Sequence, residues 1–405
     1  MSGEAVATWY AVAGPNGDTT WRVQSPARAI GAKAVLIPDG IGFKQLTYPN
    51  LDGEFPWVMD VTMEDGTHDR ITSEFQWKAM AEQGARITER KADYLAQEGS
   101  SAVFTRPLAY SAAHMIEMRN EYGIRVLAET DDNYLSDAKL NYFLNKMGWG
   151  ENQKDEHMRS ICSSDGIIVS TPYLRDLYHK GLKEQVKRHL PDLWHALGKK
   201  AIPEIHVCRN HIDEQYIPQE LSPPRDDGRL RIGYMGSDSH IWDVWLIHDA
   251  LLEAHLNGHE IVFIGISPKD LNPKFTRNKR EWQVPYTHIP WRNNDFRGTP
   301  LPLDIGLAPI VVDHHTLGKS DIKWLEYGLS GAASVLQNCL VYNQTAVHGE
   351  TALLANGPAE FALRMRELIH SPELRERLTK NTMQYINEER LLSKNAEEWR
   401  SVVVG

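Results

Sequence analysis

The sequence predicts an α/β protein built from two doubly wound parallel sheets. Each half of the chain opens with an apolar strand, a glycine turn and a helix, and the two opening strands cover residues 7–14 and 230–235. That order is typical of the start of a doubly wound sheet. Residues 305–312 form a further apolar run, as expected of a strand buried on both faces. A length of 405 residues also favours two domains over a single core.

The first half alternates predicted strands and helices. Strands are expected at 7–14, 34–38, 57–63, 102–105, 125–128, 167–170 and 205–208, and helices at 20–31, 74–83, 86–97, 109–122 and from Pro172 onwards. The alternating residues 57–63 are followed by Asp65 and Gly66, which predicts a hairpin turn. Residues 183–203 are basic and have no regular pattern, and we interpret them as an insertion.

A linker is predicted at residues 218–228, where prolines, acids and a glycine cluster. It separates a first domain at 1–217 from a second domain at 229–388. In the second domain, strands are expected at 230–235, 261–266, 284–289, 303–312, 333–336 and 352–355, and helices at 241–256, 320–330 and over most of 358–403. Two such sheets facing each other are expected to form a cleft at the carboxyl ends of their strands.

Composition narrows the class of function. The net charge is −10, from 54 acidic and 44 basic residues, which argues against a dominant phosphate-backbone partner. Cys162, Cys208 and Cys339 are far apart, show no metal-binding spacing and are expected to be reduced, buried thiols. Neither a signal peptide nor a membrane span is expected, so the sequence favours the cytoplasm.

Residues 318–328, with the sequence G-K-S-D-I-K-W-L-E-Y-G, predict an anion site. They follow the apolar strand through a short polar loop and begin a helix, whose N-terminal N–H groups and dipole favour negative charge. Lys319 adds a positive charge there, while Lys323 is interpreted as a structural partner of Glu326 at i,i+3. The Glu326 carboxylate, two turns further on, can accept hydrogen bonds from a sugar diol. A phosphate site beside a ribose site indicates a nucleotide-sugar ligand.

Other candidates carry two interpretations each. Asp131 and Asp132 follow the strand at 125–128, where paired carboxylates either orient sugar hydroxyls or cap the next helix. Gly14 and Gly17 are either turn residues or places where the backbone approaches a ligand closely. Arg22, just inside the next helix, is a candidate for reaching a phosphate. Adjacent histidines such as His314 and His315 seldom hold a metal unaided, and no metal site is predicted.

Several segments carry a resemblance to a known family. In the second domain they are D-I-G-L-A-P at 304–309, the stretch at 318–328, H-G-E-T-A-L-L-A at 348–355 and S-P-E-L-R-E-R-L at 371–378; looser matches are W-R-V-Q-S-P-A-R-A-I at 21–30, R-V-L-A-E-T-D-D at 125–132 and C-R-N-H-I-D at 208–213. In this order and spacing they resemble the retaining glycosyltransferases of family four, which have the GT-B fold. The chain is most similar to bacteriophage and bacterial members.

The resemblance implies a donor site in the second domain and an acceptor site in the first. It implies catalytic roles for Lys319, Asp131 and Asp132, and acceptor-side roles for Gly14, Gly17 and Arg22. The residues expected to bind the donor are Gly236, Ser237, Gly318, Ser320, Asp321, Glu326 and His315. Two departures stand out. Gly318 replaces the family's first glutamate, and the turn G-S-D-S-H-I-W-D, beginning at Gly236, lacks the usual Arg and Lys, so Lys319, Arg209 or Arg292 is expected to supply that charge.

The GT-B fold further implies a C-terminal helix, within residues 389–405, that packs back on the first domain through Trp399. The expected reaction is transfer from a UDP- or GDP-sugar to an acceptor hydroxyl by same-face attack, with retention of configuration, no cofactor and no obligatory metal. The acceptor is a protein, a glycan or a modified DNA base. Alternatives are a phage-type transferase for DNA bases, for which residues 183–189 offer the main basic cluster, and a binding module with impaired turnover. The oligomeric state stays open.

Overall fold

The fold is described from a computed structural model of the chain. The structure describes residues 7–13, 19–38, 57–63, 68–71, 87–94, 101–105, 115–116, 119–120, 123–136, 149–196, 202–237, 240–269, 281–290 and 298–405. The described residues fall into two compact units. The first unit takes its residues from 1–131, 151–208 and 396–405, and the second from 132–150 and 209–395.

The first unit contains a parallel sheet. Its described strands are β1 (Thr8–Ala13), β2 (Lys33–Pro38), β6 (Ser101–Thr105), β7 (Arg125–Thr130), β8 (Gly166–Val169) and β9 (Glu204–Val207), in the spatial order β2-β1-β6-β7-β8-β9. A π-helical turn (Thr19–Gln24) continues into α1 (Ser25–Ile30), and the later helices are α2 (Glu151–Cys162), α3 (Pro172–His189) and α4 (Pro191–Ala196). A small antiparallel sheet joins β3 (Trp57–Met63) to β4 (His68–Ile71) and β5 (Ile87–Tyr94).

The second unit contains another parallel sheet. Its described strands are β10 (Arg231–Gly236), β11 (Glu260–Gly265), β12 (Thr287–Ile289), β13 (Ile305–Ala308), β14 (Ala333–Gln337) and β15 (Leu353–Ala355). Their spatial order is β12-β11-β10-β13-β14-β15, so the direction of winding reverses between β10 and β13. The helices are α5 (Ile241–Trp245), α6 (His248–Leu256), α7 (Ile322–Leu329), α8 (Pro358–His370) and α9 (Pro372–Tyr385). A π-helical turn (Ile386–Arg390) precedes α10 (Leu392–Val403).

The second sheet is covered by apolar side chains on both faces. Ile232, Phe263, Ile305 and Val335 are each fully buried in one core cluster with side chains of α5, α6 and α8. Burial on both faces explains why these strands are continuous apolar runs and not alternating ones. The prediction of an α/β protein with two doubly wound parallel sheets is confirmed.

Several predicted elements need correction. The helix predicted at 86–97 is wrong, because Ile87–Tyr94 is a strand that pairs with Trp57–Met63, and this pairing overrides local helix preference. The insertion predicted at 183–203 is also wrong in its first part, since α3 runs to His189 and α4 follows directly. The strand predicted at 303–312 covers only Ile305–Ala308, because Pro309 has no N–H to continue the pairing.

Other predicted helices are interrupted or lie outside the described residues. The helix predicted at 241–256 is interrupted at residues 246–247, which form a turn between α5 and α6. The helix predicted at 74–83, the turn at Asp65 and Gly66, and most of the helix predicted at 109–122 lie outside the described residues. None of the described helices is long and apolar enough to cross a membrane. The three cysteines are buried free thiols, as expected.

A buried ion pair ties the C-terminal helix to the rest of the first unit. The Arg22 guanidinium, fully buried, lies 2.6 Å from Glu129 Oε1 and donates a 2.5 Å hydrogen bond to the carbonyl of Cys208. It also lies 4.6 Å from the ring centroid of Trp399, which is fully buried on α10. The structure therefore places the Arg22 guanidinium in the interior, closed off from solvent and bound to a carboxylate, and its acceptor-side role stays a prediction.

We predict that Arg22→Met destabilises the protein by about 3–5 kcal/mol, because the Glu129 charge then stays buried without its cation. The measurement is urea-induced unfolding, followed by tryptophan fluorescence. The matched control is the double variant with Glu129→Met, which removes both charges and should recover part of that loss. A single variant as stable as the wild type would show that the ion pair does not hold this part of the core.

Candidate functional site

The candidate site lies in the second unit, where the order of its sheet reverses. β10 and β13 pair only through Ile232 with Ile305 and Gly233 with Gly306, although β10 continues to Gly236. The carboxyl ends of the two strands therefore separate. In open α/β sheets, ligands bind at such a reversal, outside the carboxyl ends of the strands.

Tyr327 of α7 fills the gap between the separating strands. Its buried hydroxyl donates a 2.9 Å hydrogen bond to the carbonyl of Leu307 on β13 and accepts one of 3.1 Å from the N–H of Met235 on β10. Gly306 makes room for the ring, because a Cβ at that position would lie 2.5 Å from a Tyr327 ring carbon. The tyrosine thus satisfies two backbone groups that the sheet leaves unpaired, and it fixes α7 beside the opening.

The loop after β13 folds into a capped turn. The Asp313 carboxylate accepts 2.8 Å hydrogen bonds from the N–H groups of His315 and Thr316, and the Thr316 hydroxyl accepts one from the N–H of Asp313. This reciprocal cap is the local reason that residues 316–318 form a short 3-10 helix. Gly318 is buried within this turn, and its N–H bonds the His315 carbonyl at 3.1 Å.

The same loop is held by the segment that follows β7. Asn133 Nδ2 donates a 2.9 Å hydrogen bond to the carbonyl of His314, and the Asn133 carbonyl lies 3.0 Å from Nδ1 of His315. His315 is buried, and burial lowers its pKa below the usual 6.5 although the Asp132 carboxylate acts in the opposite direction. The neutral ring therefore carries its proton on Nδ1, facing the Asn133 carbonyl.

The structure brings together two of the predicted catalytic residues, Lys319 and Asp132. Lys319 Nζ donates a 2.9 Å hydrogen bond to Oδ1 of Asp132, and the two residues are 187 positions apart in the chain. Asp132 is 6% exposed, whereas the Lys319 side chain keeps 23% of its surface in contact with solvent. The carboxylate therefore orients the ammonium group, and part of the Lys319 side chain stays in contact with solvent.

A second ammonium group lies at the end of β10. Lys323 of α7 donates a hydrogen bond to the carbonyl of Met235, and its Nζ lies 4.5 Å from the ring centroid of Tyr234. A Cβ on Gly236 would lie only 3.0 Å from this Nζ. Burial lowers the pKa of Lys323 to about 8, against the opposing effect of Glu326. Lys323 was predicted to be a structural partner of Glu326, and the structure adds these contacts at the end of β10.

His240 follows Gly236 and is held by Asp243. Its Nδ1 lies 2.7 Å from Asp243 Oδ2, and Asp243 Oδ1 accepts a 2.6 Å hydrogen bond from the N–H of Val311. Asp243 thus connects the turn after β10 with the loop after β13. Burial lowers the pKa of His240 to about 4 despite this carboxylate, so the imidazole is neutral near pH 7 and adds no charge to the site.

Asp321, predicted to bind the donor, lies in a buried ion pair with Arg390. Its buried carboxylate forms two hydrogen bonds with Arg390, of 2.6 and 2.8 Å, and accepts a third of 2.8 Å from the Thr345 hydroxyl. Burial raises the pKa of this carboxyl, but the Arg390 charge and these hydrogen bonds outweigh burial and hold it below 3.8. A carboxylate that is occupied in this way positions the start of α7, and its donor-binding role stays a prediction.

Three other residues predicted to bind the donor are Ser320, Glu326 and Ser237. The Ser320 hydroxyl accepts a 2.7 Å hydrogen bond from Asn210 Nδ2, and Arg390 bonds the carbonyl of the same asparagine at 2.7 Å. Glu326 lies partly exposed on α7, seven residues after Lys319, and Ser237 is exposed directly after β10. These positions leave Ser237 and Glu326 accessible to a ligand.

The remaining candidates are Asp131, Gly14 and Gly17. Asp131 follows β7, and its carbonyl accepts a long hydrogen bond, 3.4 Å, from the Ser170 hydroxyl in the first unit. Gly14 and Gly17 lie outside the described residues. Among the described residues, one group could hold a metal, formed by Glu151, Asp155 and His189 of the first unit. Carboxylates and histidines on a helix surface commonly lie this close without an ion.

Asn133 and Tyr327 were not among the predicted site residues, and Lys323 was predicted to be structural. Lys323 had a usable signal, because it lies four residues after Lys319 and three before Glu326, which places all three on neighbouring turns. Asn133 and Tyr327 had none. Their roles depend on a carbonyl of a distant loop and on the separation of two strands, and neither is a property of local sequence.

No family model and no curated protein sequence matches the chain. Solved structures do match it over nearly its whole length. The pneumococcal O-GlcNAc transferase GtfA, in complex with UDP and GlcNAc, has a TM-score of 0.59 at 12% identity over 99% of both chains. Sucrose-phosphate synthase from Thermosynechococcus elongatus has a TM-score of 0.58 at 11% identity over 98% of both chains. The chain has the GT-B fold.

A third match points the same way. The catalytic domain of starch synthase IV from Arabidopsis thaliana, bound to ADP and acarbose, has a TM-score of 0.56 at 10% identity, covering 99% of this chain and 100% of the other. At sequence identities this low, the structural matches establish the GT-B fold alone. The reaction has to be argued from the residues of the site.

We predict that Asp321→Asn reduces the acid sensitivity of the protein. Because the folded-state pKa of Asp321 lies below the unfolded value of 3.8, its contribution to stability is complete above that value and is lost as the pH falls through the folded pKa. The wild type should therefore lose more free energy of unfolding than Asp321→Asn between about pH 6 and pH 3. Urea titrations at both pH values provide the measurement, and equal losses would contradict the ion pair.

Proposed function

We propose that this protein is a glycosyltransferase that moves a sugar from a nucleotide-sugar donor to an acceptor hydroxyl. The observation that supports this most is the pair of ammonium groups, from Lys319 and Lys323, at the carboxyl ends of β10 and β13 beside the start of α7. Two cations and a helix N-terminus at a sheet reversal make a site for a diphosphate. The matching GT-B structures include glycosyltransferases bound to UDP or ADP, which favours a nucleoside diphosphate as the ligand.

The donor is proposed to bind with its diphosphate between Lys319 and the Gly236 turn. Glu326, further along α7, accepts hydrogen bonds from the two ribose hydroxyls, and UDP- and GDP-sugars are the proposed donors. Asp132 holds Lys319 in position, so the role proposed for Asp132 is to orient the cation and not to contact the sugar. Ser237 and Ser320, at the two sides of the opening, remain candidates for hydrogen bonds to phosphate oxygens.

The proposed reaction retains the configuration of the sugar. The acceptor oxygen attacks the anomeric carbon from the face that the diphosphate leaves, the bond from that carbon to the phosphate oxygen breaks, and the acceptor proton passes to the departing diphosphate. The protein then acts by stabilising the negative charge that develops on the leaving group. Because two ammonium groups are available for this, we propose that no metal is required, and turnover should persist in EDTA.

We also propose that the chain belongs to the retaining family-four enzymes, among bacteriophage and bacterial members, and works in the cytoplasm. This rests on the motifs at 304–309 and 318–328. The acceptor is proposed to be a protein, a glycan or a modified DNA base. For the DNA base, the supporting observation is that residues 183–189 complete the regular helix α3, on which Lys187 and Arg188 are exposed. A salt-dependent gel shift would distinguish DNA from the other acceptors.

The proposed function is tested with nucleoside diphosphates and their sugars. UDP or GDP should raise the melting temperature in a thermal-shift screen, because a ligand that binds the folded state stabilises it by mass action. The matching nucleotide sugar should be slowly hydrolysed, and NMR of the first-formed sugar reports the anomeric configuration. Binding without turnover across a full donor panel would favour the impaired binding module. An absence of binding to any nucleoside diphosphate would overturn the proposal.

We predict that Lys319→Ala lowers turnover by about 100-fold or more, because it removes one positioned charge that stabilises the leaving diphosphate. Lys319→Arg keeps the charge beside Asp132 and is the matched control, with a smaller loss expected. The measurement is the initial rate with the donor found in the screen. A change of less than about threefold for the alanine variant would remove Lys319 from the leaving-group site.

Glu326→Gln is predicted to weaken binding of the nucleoside diphosphate by roughly 10-fold, since hydrogen bonds to a charged acceptor contribute about 1.5–3 kcal/mol. Calorimetric titration with the ribose diphosphate gives the affinity. The 2′,3′-dideoxy analogue, which has no diol, provides the control because it should bind both proteins alike. If the variant lost equal affinity for both ligands, Glu326 would have no ribose-specific role.

A further inference from the structure

We propose that Lys323 supplies the cation for the diphosphate at the Gly236 turn, and that the site takes up a proton when the diphosphate binds. This inference rests on the proposed function and deepens it. It assigns a specific residue to the charge that the turn sequence itself lacks, and it makes donor binding depend on pH.

Lys323 lies directly beside the turn that follows β10. Its Nζ reaches across from α7 to the last residues of β10, where it bonds the Met235 carbonyl and lies over the ring of Tyr234. Gly236 is the residue that admits it, since a Cβ there would lie 3.0 Å from Nζ and 2.8 Å from the Tyr234 ring. An ammonium group therefore lies against the backbone of the turn, although no lysine or arginine belongs to the turn itself.

The turn after β10 has too little positive charge of its own to balance a diphosphate. The turn after β10 reads G-S-D-S-H-I-W-D from Gly236, so its only basic side chain is His240. Burial keeps the pKa of His240 at about 4, so the ring is neutral at physiological pH. Lys319 is already bound to Asp132 at 2.9 Å. A diphosphate with two or three negative charges needs more positive charge than this, and Lys323 is placed to provide it.

The surroundings of Lys323 determine its protonation. Burial removes water from the ammonium group and is the largest effect, lowering the pKa to about 8. Glu326 on α7 and Asp243 on α5 favour the charged form, whereas Lys319 disfavours it. Tyr234 faces it from β10, and burial keeps that phenol neutral by raising its pKa. Near pH 8, and before a ligand binds, the Lys323 amine is therefore only partly protonated.

A bound diphosphate changes this balance in a known direction. A nearby anion favours the ammonium form, so the pKa of Lys323 rises on binding and the protein takes up a proton from solution. The uptake should be largest near or above pH 8 and small below pH 7, where the amine is already charged. Affinity should correspondingly fall as the pH rises through about 8. The ligand contributes little to this change, because its phosphates are ionised above about pH 7.

The experiment is calorimetric titration of the whole protein with UDP and, in parallel, with GDP at about pH 8. Repeating each titration in two buffers of different ionisation enthalpy gives the number of protons taken up, and we expect about half a proton per ligand. Lys323→Arg keeps a charge that does not titrate in this range, so it should bind the diphosphate with that uptake lost. Lys319→Arg is the matched control and should retain the wild-type uptake.

Two further variants separate a binding role from a structural one. Lys323→Met should bind the diphosphate about 10- to 100-fold more weakly at pH 7, with the melting temperature reporting whether it is folded. Gly236→Ala should also weaken binding although it keeps the lysine in the sequence, because the added methyl group would lie 3.0 Å from Lys323 Nζ and 2.8 Å from the Tyr234 ring and would force both side chains to shift.

The outcomes distinguish this inference from the proposed function. Diphosphate binding without proton uptake, together with an unchanged affinity in folded Lys323→Met, would overturn the role of Lys323 and leave the glycosyltransferase proposal standing. An uptake that persists in Lys323→Arg but disappears in Lys319→Arg would assign the titrating group to Lys319 and also overturn it. A wild-type protein that binds neither UDP nor GDP would overturn both.

Discussion

The candidate site depends on the separation of β10 from β13. The two strands share only two residue pairs, and beyond them Tyr327 bonds Met235 on one side and Leu307 on the other. A tyrosine hydroxyl can both donate and accept, so it can satisfy two backbone groups that neighbouring strands no longer satisfy for each other. The same residue fixes α7, and α7 carries Lys323 and Glu326. Tyr327 therefore fixes both the separated strand ends and the helix that carries these two residues.

The charges around this opening are distributed by function. Asp321 and Arg390 neutralise each other in the interior, where a paired carboxylate anchors the start of α7. Lys319 is oriented by Asp132 but keeps part of its surface accessible, and Lys323 lies at the turn with a lowered pKa. Buried charges that pair with each other stabilise the interior, whereas a cation that keeps contact with solvent can also bind an anion.

Local sequence patterns located the strands that are buried on both faces, and they failed where a strand or a charge depends on a distant partner. The apolar runs that became β10, β11 and β14 were located to within a residue or two, because burial on both faces demands such runs. The stretch at 87–94 was predicted to be a helix, since its strand state depends on pairing with residues 57–63. Arg22 and Asp321 were assigned to ligands because a sequence shows a charge without showing its distant partner, here Glu129 and Arg390.

The sequence by itself determined the α/β class and the two doubly wound sheets, and it predicted an anion site at residues 318–328, because periodicity, glycine turns and a helix start are local properties. The tertiary structure decided which charges are available. Lys319 is paired with Asp132, and Asp321 forms a buried ion pair with Arg390. Lys323 reaches from α7 to the Gly236 turn. Such choices depend on distances between residues far apart in the chain, and on burial, which a linear pattern does not contain.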